Sequence, residues 1–181
     1  MGSAQQRRYE VRLAGTGGQG AILAGVILAD AAIRDGKNAA QTQSYGPEAR
    51  GGASRSEVVI SASEIDYPKV LAPDITLCMS QEACDRYCGD RRENGLLILD
   101  ADHVSRAPTT RAVRVPLTTL AQEASGKSIT ANVVALGLLA GLTDIVSREA
   151  LEAAVRARAP KGTEEMNLGA LAAGYDAAEG L

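Results

Sequence analysis

The stretch that decides the fold is YEVRLAGTGGQGAILAGVILADAAIRDG, residues 9 to 36. Its first six residues, Tyr9 to Ala14, alternate between apolar and polar side chains, which predicts a strand. The glycine-rich segment Gly15 to Gly20 follows directly and predicts a tight turn. A mostly apolar stretch then predicts a buried helix from about Gly18 to Asp35. The N-terminal part of the chain is therefore a strand, a turn and a helix.

Predicted strands continue to alternate with helices and loops through the first two thirds of the chain. Ser80 is a predicted N-cap for a helix that runs to about Tyr87. Alternation of this kind indicates an α/β fold, Rossmann-like and doubly wound, with a mainly parallel sheet and helices on both faces. The further predicted strands are Asn38–Gln43, Ser54–Ser61, Asp74–Met79, Gly95–Asp100 and Arg111–Val115.

The last third of the sequence is predicted to be helical. Ser147 and Thr163 are predicted N-caps, and Gly137 with Gly141, four residues apart, predicts close packing of one helix against another. We expect residues 1–181 to form a single domain, with a sheet portion at about 9–126 and a helical portion at about 128–181 packed on it. The predicted helices are Leu117–Ala124, Asn132–Leu142, Ser147–Ala157 and Glu164–Ala178.

Composition and charge exclude several classes of function. The formal net charge is −3, and the basic residues are scattered, so a nucleic-acid partner is not expected. No apolar stretch reaches the length of a membrane span, and the N-terminus lacks the apolar region of a signal sequence, which predicts a cytoplasmic protein without a membrane contact. Phe and Trp are absent, so the core is expected to be aliphatic.

The three cysteines, Cys78, Cys84 and Cys88, are an odd number in a chain without an export signal. This argues against a disulfide framework. Their spacing, C-x5-C-x3-C, matches neither a zinc ribbon nor a ferredoxin-type cluster motif. We therefore expect buried, inert thiols and no metal site.

The glycine turn is a candidate binding site. Gly15, Gly17 and Gly20 fit the pattern G-x-G-x-x-G between a strand and a helix, where backbone amides and the helix N-terminus can meet a phosphate or carboxylate. A dinucleotide fold would also place an acidic residue at the end of the second strand, to hold the ribose. That strand ends here in Gln41-Thr-Gln-Ser44, so dinucleotide binding is disfavoured. Tight packing of the helix on the sheet remains an alternative explanation of the glycines.

The segment Ser44 to Gly52, SYGPEARGG, is predicted to be a loop beside the glycine turn. Arg50 offers a planar fork that suits a carboxylate or phosphate, and Glu48 can orient it or pair with a partner's cation. The alternative is an ion pair within the loop. The two loops together give the candidate contact residues for a ligand or a partner subunit: Gly15, Gly17, Gly18, Gln19, Gly20, Tyr45, Glu48, Arg50, Gly51 and Gly52.

Two other polar clusters are weaker candidates. His103, the one histidine, follows Asp100 and Asp102, but polar residues after a strand are commonly solvated. Ser80-Gln81-Glu82 opens a predicted helix at the end of a strand, where capping explains Ser80 equally well. The sequence contains no catalytic triad, nucleophile elbow or Walker loop. We therefore assign no catalytic residue to this chain.

Four separated motifs, in register along nearly the whole chain, resemble the gamma subunit of the 2-oxoacid:ferredoxin (acceptor) oxidoreductases. They are G-T-G-G-Q-G at 15–20, T-Q-S-Y-G-P-E-A-R-G-G at 42–52, S-Q-E-A at 80–83 and P-K-G-T-E-E-M-N at 160–167.

The resemblance implies a part of an enzyme that decarboxylates a 2-oxoacid on thiamine diphosphate, reduces ferredoxin and forms an acyl-coenzyme A. It implies thiamine-binding alpha and beta partner subunits, and in some enzymes a ferredoxin-like delta subunit. Thiamine diphosphate, Mg²⁺ and the iron-sulfur clusters are then expected on those partners, with no cofactor bound by this chain alone.

Substrates in this family include pyruvate, 2-oxoglutarate and branched-chain oxoacids, and K-G-T-E-E in a separate gamma chain favours 2-oxoglutarate. The rival hypotheses are a free-standing NAD(P)-dependent reductase and a non-enzymatic nucleotide-binding regulatory module.

Overall fold

The computed structural model describes residues 8–47 and 52–181. Within these residues the chain forms six strands and six α-helices. The strands are β1 (Arg8–Thr16), β2 (Asn38–Tyr45), β3 (Ala53–Ser61), β4 (Ile75–Cys78), β5 (Leu96–Asp100) and β6 (Val113–Val115). The helices are α1 (Ala21–Arg34), α2 (Gln81–Tyr87), α3 (Leu117–Ser125), α4 (Ala131–Thr143), α5 (Arg148–Arg158) and α6 (Glu164–Glu179).

The strands form one sheet in the order β2-β3-β1-β4-β5-β6. Four of them, β1, β4, β5 and β6, are mutually parallel. Their carboxyl ends therefore meet at one edge of the sheet. The prediction of a mainly parallel α/β sheet with helices on both faces is confirmed.

The two remaining strands, β2 and β3, form an antiparallel hairpin at one edge of the sheet. The alternation of elements in the sequence did not predict this hairpin. β3 runs antiparallel to both β1 and β2. The connection from β2 to β3, residues 46–52, is too short for the crossover that a parallel pair requires. The chain therefore turns back on itself, and β3 lies between β1 and β2.

The two faces of the sheet are covered unequally. Helices α1, α3, α4, α5 and α6 contribute to one aliphatic core, together with strand residues such as Leu13 and Ile98. The opposite face is covered by α2, which packs on Ala14, Leu97 and Leu99. The alternation of β1 explains this division, since Leu13 points to one face and Ala14 to the other.

The α4–α6 crossing confirms the close packing predicted from Gly137. A Cβ atom at Gly137 would lie 2.2 Å from the carbonyl oxygen of Leu171, and one at Gly174 would lie 2.1 Å from that of Val134. A Cβ at Gly141 would lie 2.7 Å from the Cβ of Ala178. The two backbones approach more closely than any residue with a side chain would allow.

Three local predictions were wrong in detail. Helix α1 begins at Ala21 and not at Gly18, because Gly18 and Gly20 have positive φ angles of 93° and 77°. Tyr45 belongs to β2 and not to a loop, because its pairing with Ser54 extends the hairpin. Thr163 precedes α6 without capping it through its side chain, since its hydroxyl donates to the Pro160 carbonyl.

The N-cap at Ser147 is as predicted: its hydroxyl accepts a hydrogen bond from the Ala150 amide at 3.1 Å. Across the described ranges, no helix combines the length and the apolar character needed to cross a bilayer.

Candidate functional site at the carboxyl edge of the sheet

The glycine turn after β1 is held by the side chain of Gln19. Its Oε1 atom accepts hydrogen bonds from the Thr16 amide at 2.8 Å and the Thr16 hydroxyl at 3.1 Å. Its Nε2 atom donates to the Met79 carbonyl at 2.8 Å. Gln19 thus fastens the turn to the end of β4, and these bonds give it a structural role.

The glycines of the turn differ in what surrounds them. A Cβ at Gly15 would lie 2.8 Å from Gln19 Oε1, and one at Gly20 would lie 2.5 Å from Asn132 Nδ2. A Cβ at Gly18 would meet nothing within 4 Å. Packing within the chain therefore explains Gly15 and Gly20, whereas Gly18 presents its backbone to open space.

The structure brings the glycine turn and the end of the second loop, the segment Ser44 to Gly52, together. The Gly17 amide donates to the Gly52 carbonyl at 3.2 Å, and the Gly46 amide donates to the Ala53 carbonyl at 2.8 Å. Tyr45 ends β2 with a relative exposure of 68%. Glu48, Arg50 and Gly51 lie outside the described residues.

A crevice of about 230 Å³ opens beside the glycine turn. Its walls come from the turn, from the residues after β4, β5 and β6, and from the start of α4. The carboxyl ends of parallel strands are the usual position of ligand sites in α/β sheets. The lining residues are Gly18, Gln19, Met79, His103, Thr118, Ser128, Ile129 and Ala131.

His103, a weak candidate in the sequence, lines this crevice and is held by Asp100. The buried Asp100 accepts hydrogen bonds from the Leu117 amide at 3.0 Å and the Thr118 hydroxyl at 2.7 Å. His103 Nδ1 lies 3.0 Å from the same carboxylate. Because a carboxylate accepts hydrogen bonds, Nδ1 is the ring nitrogen that donates to Asp100, and Nε2 is not used in this contact. The arrangement holds a half-exposed imidazole at the wall of the crevice.

The first turn of α1 also faces this edge of the sheet. Its N-cap, Gly20, makes no side-chain cap, and the first turn contains no acidic residue. The positive end of the helix is therefore not neutralised by a side chain of its own first turn. Such an end suits an anionic group.

The side chains of Ser80, Gln81 and Glu82 make hydrogen bonds within the chain. Ser80 caps α2 by accepting from the Ala83 amide at 3.2 Å. Gln81 Oε1 accepts from the Ser105 and Arg106 amides, each at 3.0 Å, and Glu82 accepts from the Ala53 amide at 3.2 Å. These contacts give all three residues structural roles.

The cysteines are buried, as predicted, but their spacing along the chain does not indicate that they converge. Cys78 Sγ lies 3.2 Å from Cys88 Sγ, which lies 3.4 Å from Cys84 Sγ. Hydrogen bonding to Cys84 and Cys88, together with burial, raises the pKa of the Cys78 thiol. Two of these cysteines come from the α2 region and one from β4, so only the tertiary structure joins them.

The hairpin weakens the dinucleotide hypothesis further. In a dinucleotide-binding sheet the second strand lies next to the first and brings the ribose anchor beside the glycine turn. Here β3 separates β1 from β2. The glycine pattern is present without the strand arrangement that supports a dinucleotide.

Comparisons with known proteins agree with the motifs. The sequence model for pyruvate ferredoxin/flavodoxin oxidoreductase matches residues 10–177. The 2-oxoglutarate synthase subunit KorC of Methanocaldococcus jannaschii is 53% identical over 179 residues, which cover 96% of each chain. The pyruvate synthase subunit PorC of Methanothermobacter thermautotrophicus is 30% identical over 95% of this chain and 97% of its own.

A solved structure gives the same result. The gamma subunit of a keto/oxoacid ferredoxin oxidoreductase from Geobacter sulfurreducens has a TM-score of 0.87 and 46% identity, covering 96% of this chain and 98% of that one. These similarities support neither a free-standing reductase nor a regulatory module. The chain belongs to the pyruvate ferredoxin/flavodoxin oxidoreductase family and is a gamma-type subunit of a 2-oxoacid:ferredoxin oxidoreductase.

Proposed function

We propose that this gamma subunit serves an enzyme that oxidises 2-oxoglutarate to succinyl-coenzyme A with ferredoxin as acceptor. The observation that carries this choice is the 53% identity to a 2-oxoglutarate synthase subunit, against 30% to a pyruvate synthase subunit, each over nearly the full length of both chains. The K-G-T-E-E segment at 161–165 is consistent with this choice.

In this proposal the chain works in the cytoplasm with thiamine-binding alpha and beta subunits, and with a ferredoxin-like delta subunit where the enzyme has one. Thiamine diphosphate, Mg²⁺ and the iron-sulfur clusters belong to those partners. Two features of the sequence support this division. It has no G-D-G motif with a following Asn for magnesium diphosphate, and its cysteines lack cluster spacing. The isolated chain is then inactive.

The carboxyl edge of the sheet is the proposed working surface, either as the docking face for the partners or as a wall of the coenzyme A approach. Three features support this role: the open backbone at Gly18, the uncapped positive end of α1, and the imidazole of His103. Together they suit an anionic or hydrogen-bonding group. The loop that contains Arg50 begins and ends at this same edge.

The substrate proposal is tested by purifying the complex through a tag on this chain. We expect alpha and beta chains to co-purify and to bring thiamine diphosphate and iron. Reduction of methyl viologen with coenzyme A should be fastest with 2-oxoglutarate among several 2-oxoacids. A complex that prefers pyruvate would overturn the substrate, and turnover by the isolated chain would overturn the assignment of the chemistry to partners.

The role of the second loop is tested by Arg50→Ala. A cation that contacts a partner carboxylate or a coenzyme phosphate should leave the Tm of the isolated subunit nearly unchanged while weakening assembly or raising the KM for coenzyme A. Removing one partner of a buried charge pair at an interface costs about 2 to 5 kcal/mol. The matched control is Arg111→Ala, an exposed arginine near β6. If Arg50→Ala unfolds the subunit and the surviving protein functions normally, the ion pair within the loop is the correct explanation.

A further inference from the structure

The structure gathers every thiol of the chain into one cluster. Cys78 ends β4, Cys84 lies on α2, and Cys88 directly follows that helix. Their sulfur atoms all lie within 4.8 Å of one another. None of the three residues is more than 2% exposed.

Packing alone does not require this convergence. A buried cysteine behaves as a small apolar residue and needs no sulfur neighbour. Cys84 and Cys88 are four residues apart, so the helix places them one above the other. Cys78 completes the group from a strand, and the surrounding residues, Leu97, Leu99 and Val104 among them, are apolar. The three thiol groups therefore lie together at one point inside an otherwise apolar cluster.

We propose that Cys78, Cys84 and Cys88 form a binding site for one thiophilic d¹⁰ metal ion, zinc(II) or copper(I). A zinc ion about 2.3 Å from each sulfur holds tetrahedral ligands about 3.8 Å apart, close to the present spacing. Thiolate ligands select both of these ions. The same spacing is too narrow for a multi-iron cluster, whose ligand sulfurs surround several metal atoms.

The residues around the thiols provide an entry route for the metal ion and a fourth ligand for it. Cys84 and Cys88 border a cavity of about 320 Å³, whose wall also includes Asp85, Gly89 and Arg106. The Arg106 carbonyl oxygen lies 3.8 Å from Cys84 Sγ. Zinc(II) would add this carbonyl or a water molecule as its fourth ligand, whereas copper(I) would remain three-coordinate. Each thiol releases its proton to solvent on binding, and the cation offsets part of the charge of the three thiolates. A net charge of −1 remains with zinc(II) and −2 with copper(I), beside the cavity that Arg106 helps to line.

The ion would connect α2 to the end of β4. That connection lies one residue before Met79, whose carbonyl anchors Gln19. The metal therefore supports the framework of the glycine turn, and its loss should lower the Tm of the chain by several degrees.

The test uses the full chain, purified without oxygen in the presence of a reductant and stripped with a chelator. Cobalt(II) serves as the probe for the zinc arm, because its thiolate charge-transfer absorption reports sulfur ligands, and copper(I) is titrated separately. We expect one equivalent of one of these ions to bind, with a charge-transfer band and a higher Tm. Displacement of the bound cobalt by zinc would show that the site binds zinc(II).

Substitutions then identify the ligands. Cys78→Ser, Cys84→Ser and Cys88→Ser should each abolish the band and weaken binding by more than the 10- to 100-fold typical of outer-shell changes. The matched control is Val104→Ala, which opens a cavity in the same apolar cluster and should keep the band. Circular dichroism checks that each variant is folded.

Three results would overturn the proposal. The first is that neither ion produces a band although all three thiols are reduced, which identifies inert thiols. The second is a Cys78–Cys88 disulfide that persists in the presence of the reductant and prevents metal binding. The third is a band that survives in a folded Cys84→Ser variant.

Discussion

Two regions of this molecule depend on glycine for different reasons. At the α4–α6 crossing, Gly137 and Gly174 let one backbone touch another. The space that a side chain would need at each position is occupied by backbone atoms of the other helix. In the turn after β1, the Asn132 side chain occupies the space beside Gly20, whereas Gly18 faces open space. Glycine therefore serves packing in the first region. In the second region it also leaves backbone accessible at the carboxyl edge of the sheet, the proposed working surface.

The largest effect is expected at the helix crossing. Gly137→Ala places a methyl group 2.2 Å from a carbonyl oxygen, so α4 and α6 must separate. We expect a loss of about 3 kcal/mol or more in the free energy of unfolding, measured by urea denaturation. Gly169→Ala in α6 is the control, because its nearest atom would lie at 3.6 Å. It should be neutral or stabilise by about 0.5 to 1 kcal/mol.

A smaller loss is expected for Gly20→Ala, at about 2 to 3 kcal/mol, because an L-residue is strained at φ 77° and the methyl group meets the Asn132 amide. A double-mutant cycle with Asn132→Ala separates the two causes. Positive coupling, in which the second substitution relieves the first, identifies the clash. Additive losses would show that strain alone is responsible.

Gln19→Ala removes the side chain that fastens the turn to β4. The Thr16 amide and the Met79 carbonyl lose their partner, at a cost of about 1 to 2 kcal/mol. Gln19→Glu is the informative companion, since it retains an acceptor for Thr16 but cannot donate to Met79. Equal stability of Gln19→Ala and the wild-type chain would contradict the structural role given to Gln19.

The smallest effect on folding is expected at Gly18. Gly18→Ala meets no neighbouring atom, so its cost is backbone strain of about 1 kcal/mol at φ 93°. We expect the larger consequence in the complex, as weaker assembly or a higher KM for coenzyme A. If the assembled enzyme is unaffected, the open backbone at Gly18 has no role at the interface.

The motifs and the local pattern of the sequence predicted much of the fold and the family. The strand–turn–helix unit follows from residues 9–36, and the close helix approach follows from Gly137. Both rest on short-range properties, since side-chain alternation and the conformational freedom of glycine are fixed by neighbouring residues. The boundaries at Gly18 and Tyr45 were wrong because they depend on φ angles and on strand pairing that composition does not encode.

The tertiary structure alone decided the direction of β3 and the convergence of the three thiols. It also decided the contacts that Gln19 and His103 make. Each depends on which distant residues the sheet order brings together, as when β4 places Met79 beside Gln19 and Cys78 beside α2. A spacing such as C-x5-C-x3-C reports distance along the chain and not distance in space. The sequence by itself thus determined the elements and the family, whereas long-range strand pairing determined what lies next to what at the candidate site.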